Sequence, residues 1–359
     1  MNIRDIYKGK RVFLTGHTGF KGSWLLTWLH DMGAEVKGYA LAPQAGNELY
    51  HDIGGDELCT SVIADIRDAD RLAREMKAFA PDFVFHLAAQ PLVRLSYAIP
   101  VETFAVNAIG TAHVLEAMRQ LGHPCTGVMI TTDKVYENPE TGVPFREDDK
   151  LGGHDPYSAS KAAAEIVIAS YRSSYFQAGK IGEHGISISS ARAGNVIGGG
   201  DMAGDRIVPD IIRALINDRK ISIRNPLATR PWEHVMEPLQ GYLLLGALQH
   251  AQPGQYDTCY NFGPYPDHTK SVEVLAKGLL DRWGDDTNRI EFDRSPQPKE
   301  ASLLNLDITK AGAELGWTPR LDFAETVNFT ADWYRDRHLN GMDARALILR
   351  DIRKFESIA

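Results

Sequence analysis

Long apolar runs are missing from this sequence. No stretch of its 359 residues approaches the roughly 18 consecutive apolar positions needed to cross a bilayer. The opening MNIRDIYKGK also lacks the apolar segment of a signal peptide. A soluble, cytoplasmic protein is the expectation. Cysteine is scarce too. Cys59, Cys125 and Cys259 are odd in number and widely spaced, which excludes a disulfide framework and any CxxC metal site and points to reduced thiols. No Cys/His cluster has ligand spacing, so no metal is expected. Excess positive charge is absent: a net charge of −8 lacks the basic footprint of a nucleic-acid-binding protein, while leaving room for a local basic pocket. Internal repeats, low-complexity segments and Ser/Gly-rich linkers are absent as well.

What remains is ordinary globular composition, 43% hydrophobic and 24% charged, arranged in alternation. Apolar runs at 11–16, 35–41, 61–68, 82–89, 127–133 and 186–198 read as strands. Between them, 24–33, 68–81, 103–122 and 157–176 have helical spacing. Such alternation predicts an α/β protein with a doubly wound parallel Rossmann sheet over residues 1–190. Beyond 198 the pattern loosens, with helices expected at 207–217, 238–250, 271–283 and 323–338. Residues 191–229 and 263–359 read as a smaller C-terminal α/β lobe for substrate, with a return to the first domain near 230–262. In such sheets ligands bind at the carboxyl ends of the strands, where strand order reverses.

The first strand runs into TGHTGFKG, which places Gly16, Gly19 and Gly22 between a strand and a helix. Glycine there lets backbone N–H groups approach a pyrophosphate seated on the helix N-terminus. A dinucleotide cofactor is the expectation. The acidic ribose partner that usually follows roughly 20 residues on is missing: the second strand exits into LAPQAGN (41–47), with neither an acid nor an arginine. Asp65, at the end of the third strand, is either an adenine contact or a helix cap. Gln90 ends the fourth strand and Asn107 lies in the helix behind it; each is either a cofactor contact or a structural cap.

Two polar features mark chemistry. In GVMITTDKVYENP (127–139) an apolar strand ends in Thr132, Asp133 and Lys134, setting an acid beside an amine at the carboxyl edge of the sheet. In YSASK, Tyr157 and Lys161 lie one helical turn apart on one face. A tyrosine is a weak base at neutral pH, and a nearby ammonium favours its phenolate. Of the 13 tyrosines only this one has lysine four residues on, which argues against chance.

TGHTGFKG, HLAAQ, TTDK, YSASK and RAGNVIGGGD, in this order, resemble the extended short-chain dehydrogenases/reductases. In detail TGHTGFKGSWL, HLAAQPLVRLSY, RAGNVIGGGD, DRIVPDI and RNPLATRPWEHV are similar to the CDP-glucose 4,6-dehydratase subfamily, over almost the whole chain. The resemblance implies NAD as cofactor, CDP-glucose as small-molecule substrate, and a place in dideoxysugar synthesis for surface polysaccharide (O-antigen, lipopolysaccharide). It implies a cycle of oxidation at carbon 4, loss of water across carbons 5 and 6, and reduction at carbon 6. Tyr157 with Lys161 would serve the first step and Thr132 would orient the 4-oxygen. Asp133 would be the acid for the departing 6-hydroxyl, and Lys134 would carry the carbon 5 proton or stabilise the enolate as a charge. Where related dTDP-sugar enzymes have Glu after the Asp, this chain has Lys134.

By the same resemblance the dinucleotide runs along Gly16, His17, Gly19, Phe20, Gly22, Asp65, Ile66, Leu87, Ala88, Ala89, Gln90 and Asn107, to Tyr157 and Lys161. His17 stands where many relatives have a small residue, which suggests loose NAD binding. Arg94, Arg192, Asn195, Arg206, Ile207 and Arg230 are the substrate-binding candidates, arginine being suited to a diphosphate. Trp232 and His234 are candidates for packing on the base or ribose, with core packing the alternative for the tryptophan. The helices near 103–121 and 157–177 would pair in a homodimer, or a tetramer built from it; packing of those faces on the sheet is the alternative. A nucleotide-sugar 4-epimerase shares the glycine loop and the Tyr/Lys pair but needs no acid for a 6-hydroxyl. A non-catalytic dinucleotide-binding protein is the reading from another class.

Overall fold

The computed structural model describes residues 2–43, 48–204, 206–292 and 304–358. Residues 44–47, the end of the stretch in which a ribose partner was sought, lie outside the described residues.

Seven strands form one parallel sheet: β1 (Arg11–Thr15), β2 (Glu35–Ala40), β3 (Thr60–Ile63), β4 (Phe83–His86), β5 (Cys125–Ile130), β6 (Ile186–Ala193) and β7 (Cys259–Phe262). Their spatial order is β7-β6-β5-β4-β1-β2-β3. The order reverses between β1 and β4, which pair directly from Val12↔Phe83 to Thr15↔His86. This is a doubly wound Rossmann sheet, and its ligand crevice lies above that pair.

Strand side chains alternate between two cores, as the two-residue period requires. Val12 and Leu14 of β1, Phe83 and Phe85 of β4, and Val128 and Ile130 of β5 face one core, while Phe13, Val84 and Met129 face the other. Against the second face pack α2 (Ala69–Phe79), α3 (Gly110–Arg119) and α4 (Pro156–Ser174). Against the first pack α1 (Phe20–Asp31) and α6 (Met236–Ala251). α5 (Ile207–Ile216), α7 (Val272–Trp283), α8 (Phe323–His338) and α9 (Ala344–Glu356) contribute to that same core. Trp333 of α8 lies so close to Gly199 that a Cβ there would come within 2.0 Å of its ring, and Trp24 of α1 donates to the Gly199 carbonyl (2.9 Å).

The helix read over 103–122 is three segments: Pro100–Phe104, a π-helical turn Ala105–Ile109, and α3. α1 begins at Phe20, four residues before the apolar periodicity, because the glycine loop itself supplies its first turn. α9 was not anticipated. Asp343 caps it by accepting from the Ala346 amide (2.8 Å), and it docks on α1 through Phe355, edge-on to Trp28, and Glu356, which accepts from Trp28 Nε1 (2.9 Å). Among the described residues no helix is long and apolar enough to cross a membrane.

Candidate active site

The glycine loop is in backbone contact with the exit of β4. Gly16 has φ +76°, and a Cβ on it would meet the Ala88 amide nitrogen at 2.7 Å; a Cβ on Gly22 would meet the Gly16 carbonyl oxygen at 2.0 Å. Only glycine allows these approaches. Gly19 then caps α1 without a side chain, so the helix presents its first amides over the crevice. This cradle fits a dinucleotide pyrophosphate. Leu87, Ala88 and Ala89 line it half-buried, and the Ala88 amide is held by Thr15 Oγ1 (3.1 Å), itself bonded to buried His86 (2.8 Å).

Other predicted cofactor residues stand further back. Asn107 accepts from the Gln90 amide (2.8 Å) and donates to the Gln90 carbonyl (3.1 Å) and Ser160 Oγ (2.8 Å). The Gln90 side chain is taken up by Leu92 and Thr103. Their side chains therefore tie the β4 exit to α4, as the structural-cap alternative has it. Asp65 is not the α2 cap; Asp68 accepts from Arg71 in that role, and Asp65 grips Arg67 instead, which holds its carboxyl below the usual range. Ile66 is buried against Gly110. His17 is fully buried between Gly38 and Tyr50, with Nε2 bonded to Ser61 (2.8 Å), and burial lowers it to about 4. It stays neutral and out of the cleft.

At the carboxyl end of β5 the catalytic candidates converge. Thr132 Oγ1 donates to Asp133 Oδ1 (2.8 Å) and also faces the Tyr157 hydroxyl. Lys134 Nζ donates to Asp133 Oδ1 (3.2 Å) and Asn195 Oδ1 (3.2 Å), so its nitrogen lies between two acceptors. Tyr157 starts α4, where Asp155 caps the helix by accepting from Ser158 (3.0 Å). Burial pushes its phenol up to about 12, with the Asp133 charge adding to this and Thr132 and Arg206 opposing it. Lys161 Nζ donates to the Ile130 carbonyl (3.2 Å), and burial lowers it to about 8.

Arg192, His234 and Trp232 lie in the interior, the last as its core-packing alternative has it. Arg192 is buried, bonded to Glu165 (2.8 Å), the Tyr136 hydroxyl (2.8 Å) and the Glu147 carbonyl (3.0 Å). Burial opposes its charge, but Glu165 outweighs that, and the guanidinium cannot leave this pocket for a diphosphate. His234 is fully buried, edge-on to Trp24, and burial lowers it to about 3. Trp232 is buried, with Nε1 donating to the Lys270 carbonyl (3.0 Å). Arg230 lies half-buried on a ribbon pairing Thr229–Pro231 with Thr269–Ser271, donating to the Thr229 carbonyl (2.9 Å). Arg206 and Asn195 do face the cleft: Arg206 pairs with buried Asp201 (2.8 Å) and acts on Tyr157. Ile207 opens α5 beside it, and Arg94 is exposed on the short helix Val93–Ala98.

Three residues at the site escaped the sequence reading. Glu165 lies one turn beyond Lys161 on α4 and gathers Thr131 (2.5 Å), Ser190 (2.8 Å) and Arg192. Lys21, in the first turn of α1, and Glu233, in RPWEHV, converge with Asp133 in the interior. A cation in the first turn of a helix opposes the macrodipole, and that misfit was the available signal.

The model of the GDP-mannose 4,6-dehydratase family matches residues 13–330. The chain is 44% identical to a CDP-glucose 4,6-dehydratase of Salmonella typhimurium over 99% of this chain and 98% of that protein. It is 30% identical to a dTDP-glucose 4,6-dehydratase of Streptomyces antibioticus, covering 90% and 92%. A dTDP-glucose 4,6-dehydratase of Streptomyces venezuelae, crystallised with NAD, superposes with a TM-score of 0.76 at 26% identity, covering 91% of this chain and 97% of that one.

Proposed function

This chain belongs to the GDP-mannose 4,6-dehydratase family of extended short-chain dehydrogenases/reductases, and on that premise we propose that it converts CDP-D-glucose to CDP-4-keto-6-deoxy-D-glucose and water. The observation that carries the reading is the meeting of Asp133, Lys134, Thr132 and Tyr157 beside the glycine cradle. A 4-epimerase has no use for the first two. NAD would be held by the cradle of Gly16, Gly19 and Gly22 against Ala88, and would supply the acceptance of hydride from carbon 4 and its return at carbon 6.

The chain supplies the proton chemistry. Tyr157 takes the 4-hydroxyl proton, which needs a phenolate that Arg206 and Thr132 favour against burial. Asp133 gives one proton to the departing 6-hydroxyl. Thr132 lies between Tyr157 and Asp133, so the proton collected by one can be returned to the other. Lys134 is the carrier of the carbon 5 proton, and as an ammonium it steadies the enolate oxygen. Arg206 and Asn195 at the cleft serve the nucleotide-sugar.

The exposed faces of Pro100–Ile109 and α4 carry Val101, Phe104, Ile109 and Ile166. They support a homodimer through these helices. Three free cysteines support a cytoplasmic location.

The test is incubation with NAD and CDP-, dTDP-, UDP- or GDP-hexoses. A 4-keto-6-deoxy product is expected from CDP-glucose, and its absence would overturn the reading. In Asp133→Asn, oxidation at carbon 4 should persist while water loss slows by about 10²–10³-fold. Reduced nicotinamide should then accumulate in a single turnover; full product formation would remove Asp133 from the acid role.

A further inference from the structure

Glu233 is 1% exposed, and neither of its carboxylate oxygens has a hydrogen-bond partner of good geometry. The Gly194 amide only leans toward it. A buried carboxylate without partners is costly, so this group serves something. Its place shows what. From the point where a Cβ on Gly194 would sit, Asp133 Oδ2 is 3.5 Å away and Glu233 Oε1 3.8 Å. The two carboxyl groups thus flank one glycine, Asp133 on the cleft side and Glu233 behind it.

The other charged groups acting on Glu233 come from two helices. Lys21 of α1 is the strongest and favours the anion; Glu237 of α6 opposes it, as does Asp133. Tyr242 of α6 stands beside Lys21, its hydroxyl 3.5 Å from Nζ. Lys21 in turn faces Asp133, Arg206 and Lys134. Burial pushes the Glu233 carboxyl well above its ordinary value, which favours its protonated form.

We propose that Glu233 is a positioning residue for the acid of this reaction: Asp133 and Glu233 hold one proton between them, and it is the proton delivered to the departing 6-hydroxyl. Two adjacent carboxyl groups titrate as a pair. The proposal rests on the dehydratase reading and deepens it. In the elimination step the carbon 5–hydrogen bond breaks and its proton passes to Lys134. Its electron pair forms the carbon 5–carbon 6 double bond as the carbon 6–oxygen bond breaks. The departing oxygen takes the Asp133 proton and leaves as water. With the shared proton gone, both carboxylates face the Lys21 ammonium. The proton that Tyr157 collected from the 4-hydroxyl returns through Thr132 and Asp133 to Glu233.

The test is Glu233→Gln in the full-length enzyme loaded with NAD. Gln keeps the shape but cannot store the proton. Oxidation at carbon 4 should stay within about twofold of native, while elimination slows about 10–100-fold. The alkaline limb of the elimination rate should move down by about one pH unit. Gly194→Ala, whose methyl sits between the carboxyls at ordinary contact distances, should give the same separation of steps. An unchanged elimination rate and pH limb in Glu233→Gln would overturn the proposal. A second arm needs no substrate. A carboxyl whose folded-state value is raised favours the native state least at high pH. The Tm of Glu233→Gln should therefore gain on the native Tm as pH rises from about 5 to about 9. A gap that does not change with pH would also overturn the shared proton. Failure to convert CDP-glucose would count against the substrate reading alone, leaving this thermal arm to decide.

Discussion

Replacing Tyr157 by Phe should abolish the first hydride transfer, lowering the rate of nicotinamide reduction by about 10³-fold or more while leaving the fold intact. The ring of Tyr157 is buried at the start of α4, and Phe keeps that packing. What is lost is the phenol beside Thr132, Asp133 and Arg206. Lys161 does not stand in for it, since its Nζ lies against the Ile130 carbonyl at the end of β5. Asp133 cannot either, because Thr132 and Lys134 both donate to it and its proton belongs to the later elimination. Mixing the variant with NAD and CDP-glucose and following reduced nicotinamide in a single turnover checks this. Native-like reduction would show that another group takes the 4-hydroxyl proton. The comparison with Asp133→Asn is informative because the two variants should stop at different points, one before nicotinamide reduction and one after it.

The second large effect is structural. Gly22→Ala should destabilise the protein by about 3 kcal/mol, the upper part of the range for overpacked sites, and weaken NAD at least about tenfold. The added methyl would lie 2.0 Å from the Gly16 carbonyl oxygen and 2.8 Å from the Gly16 carbonyl carbon and His17 Cα, all main-chain atoms that no rotamer change can clear. Relief requires the loop to back away from α1. Gly16, however, is pinned from the far side by the amide of Ala88, so the movement opens the cradle. Thermal denaturation and NAD titration on the same preparation separate the two losses. A native Tm with native NAD affinity would mean that the loop yields more readily than its contacts imply.

The sheet was legible because its signal is periodic. Strands buried on both faces are short apolar runs, and the intervening helices are amphipathic over more than ten residues. The glycine loop was legible because its need for glycine is local: a positive φ at Gly16 and backbone approaches at Gly22. Tyr157 and Lys161 were legible because one helical turn fixes them on one face. The failures concern residues whose meaning depends on partners far along the chain. Arg192 reads as an anion donor until Glu165 and Tyr136 are seen to enclose it. His234 in RPWEHV reads as a ligand contact until Trp24 covers it. Glu233, three residues from Arg230, carries no signal in the sequence because neither Lys21 nor Asp133 is near it there, although all three meet in the interior. α9 was missed for the same reason, its apolar stripe finding its partner only in Trp28 of α1.

The enclosed row of Lys161, Glu165 and Arg192 has one more implication. It runs inward from the redox centre through strands β5 and β6, and Tyr136 then passes it to Asn261 of β7 (2.7 Å). Every member is tied to a strand, and none depends on Arg206, Arg230 or the ribbon that carries the latter. The row thus ties α4 to the sheet, and exchanging the ribbon that carries Arg230 leaves that anchorage untouched, whereas a change at Arg206 also reaches Tyr157.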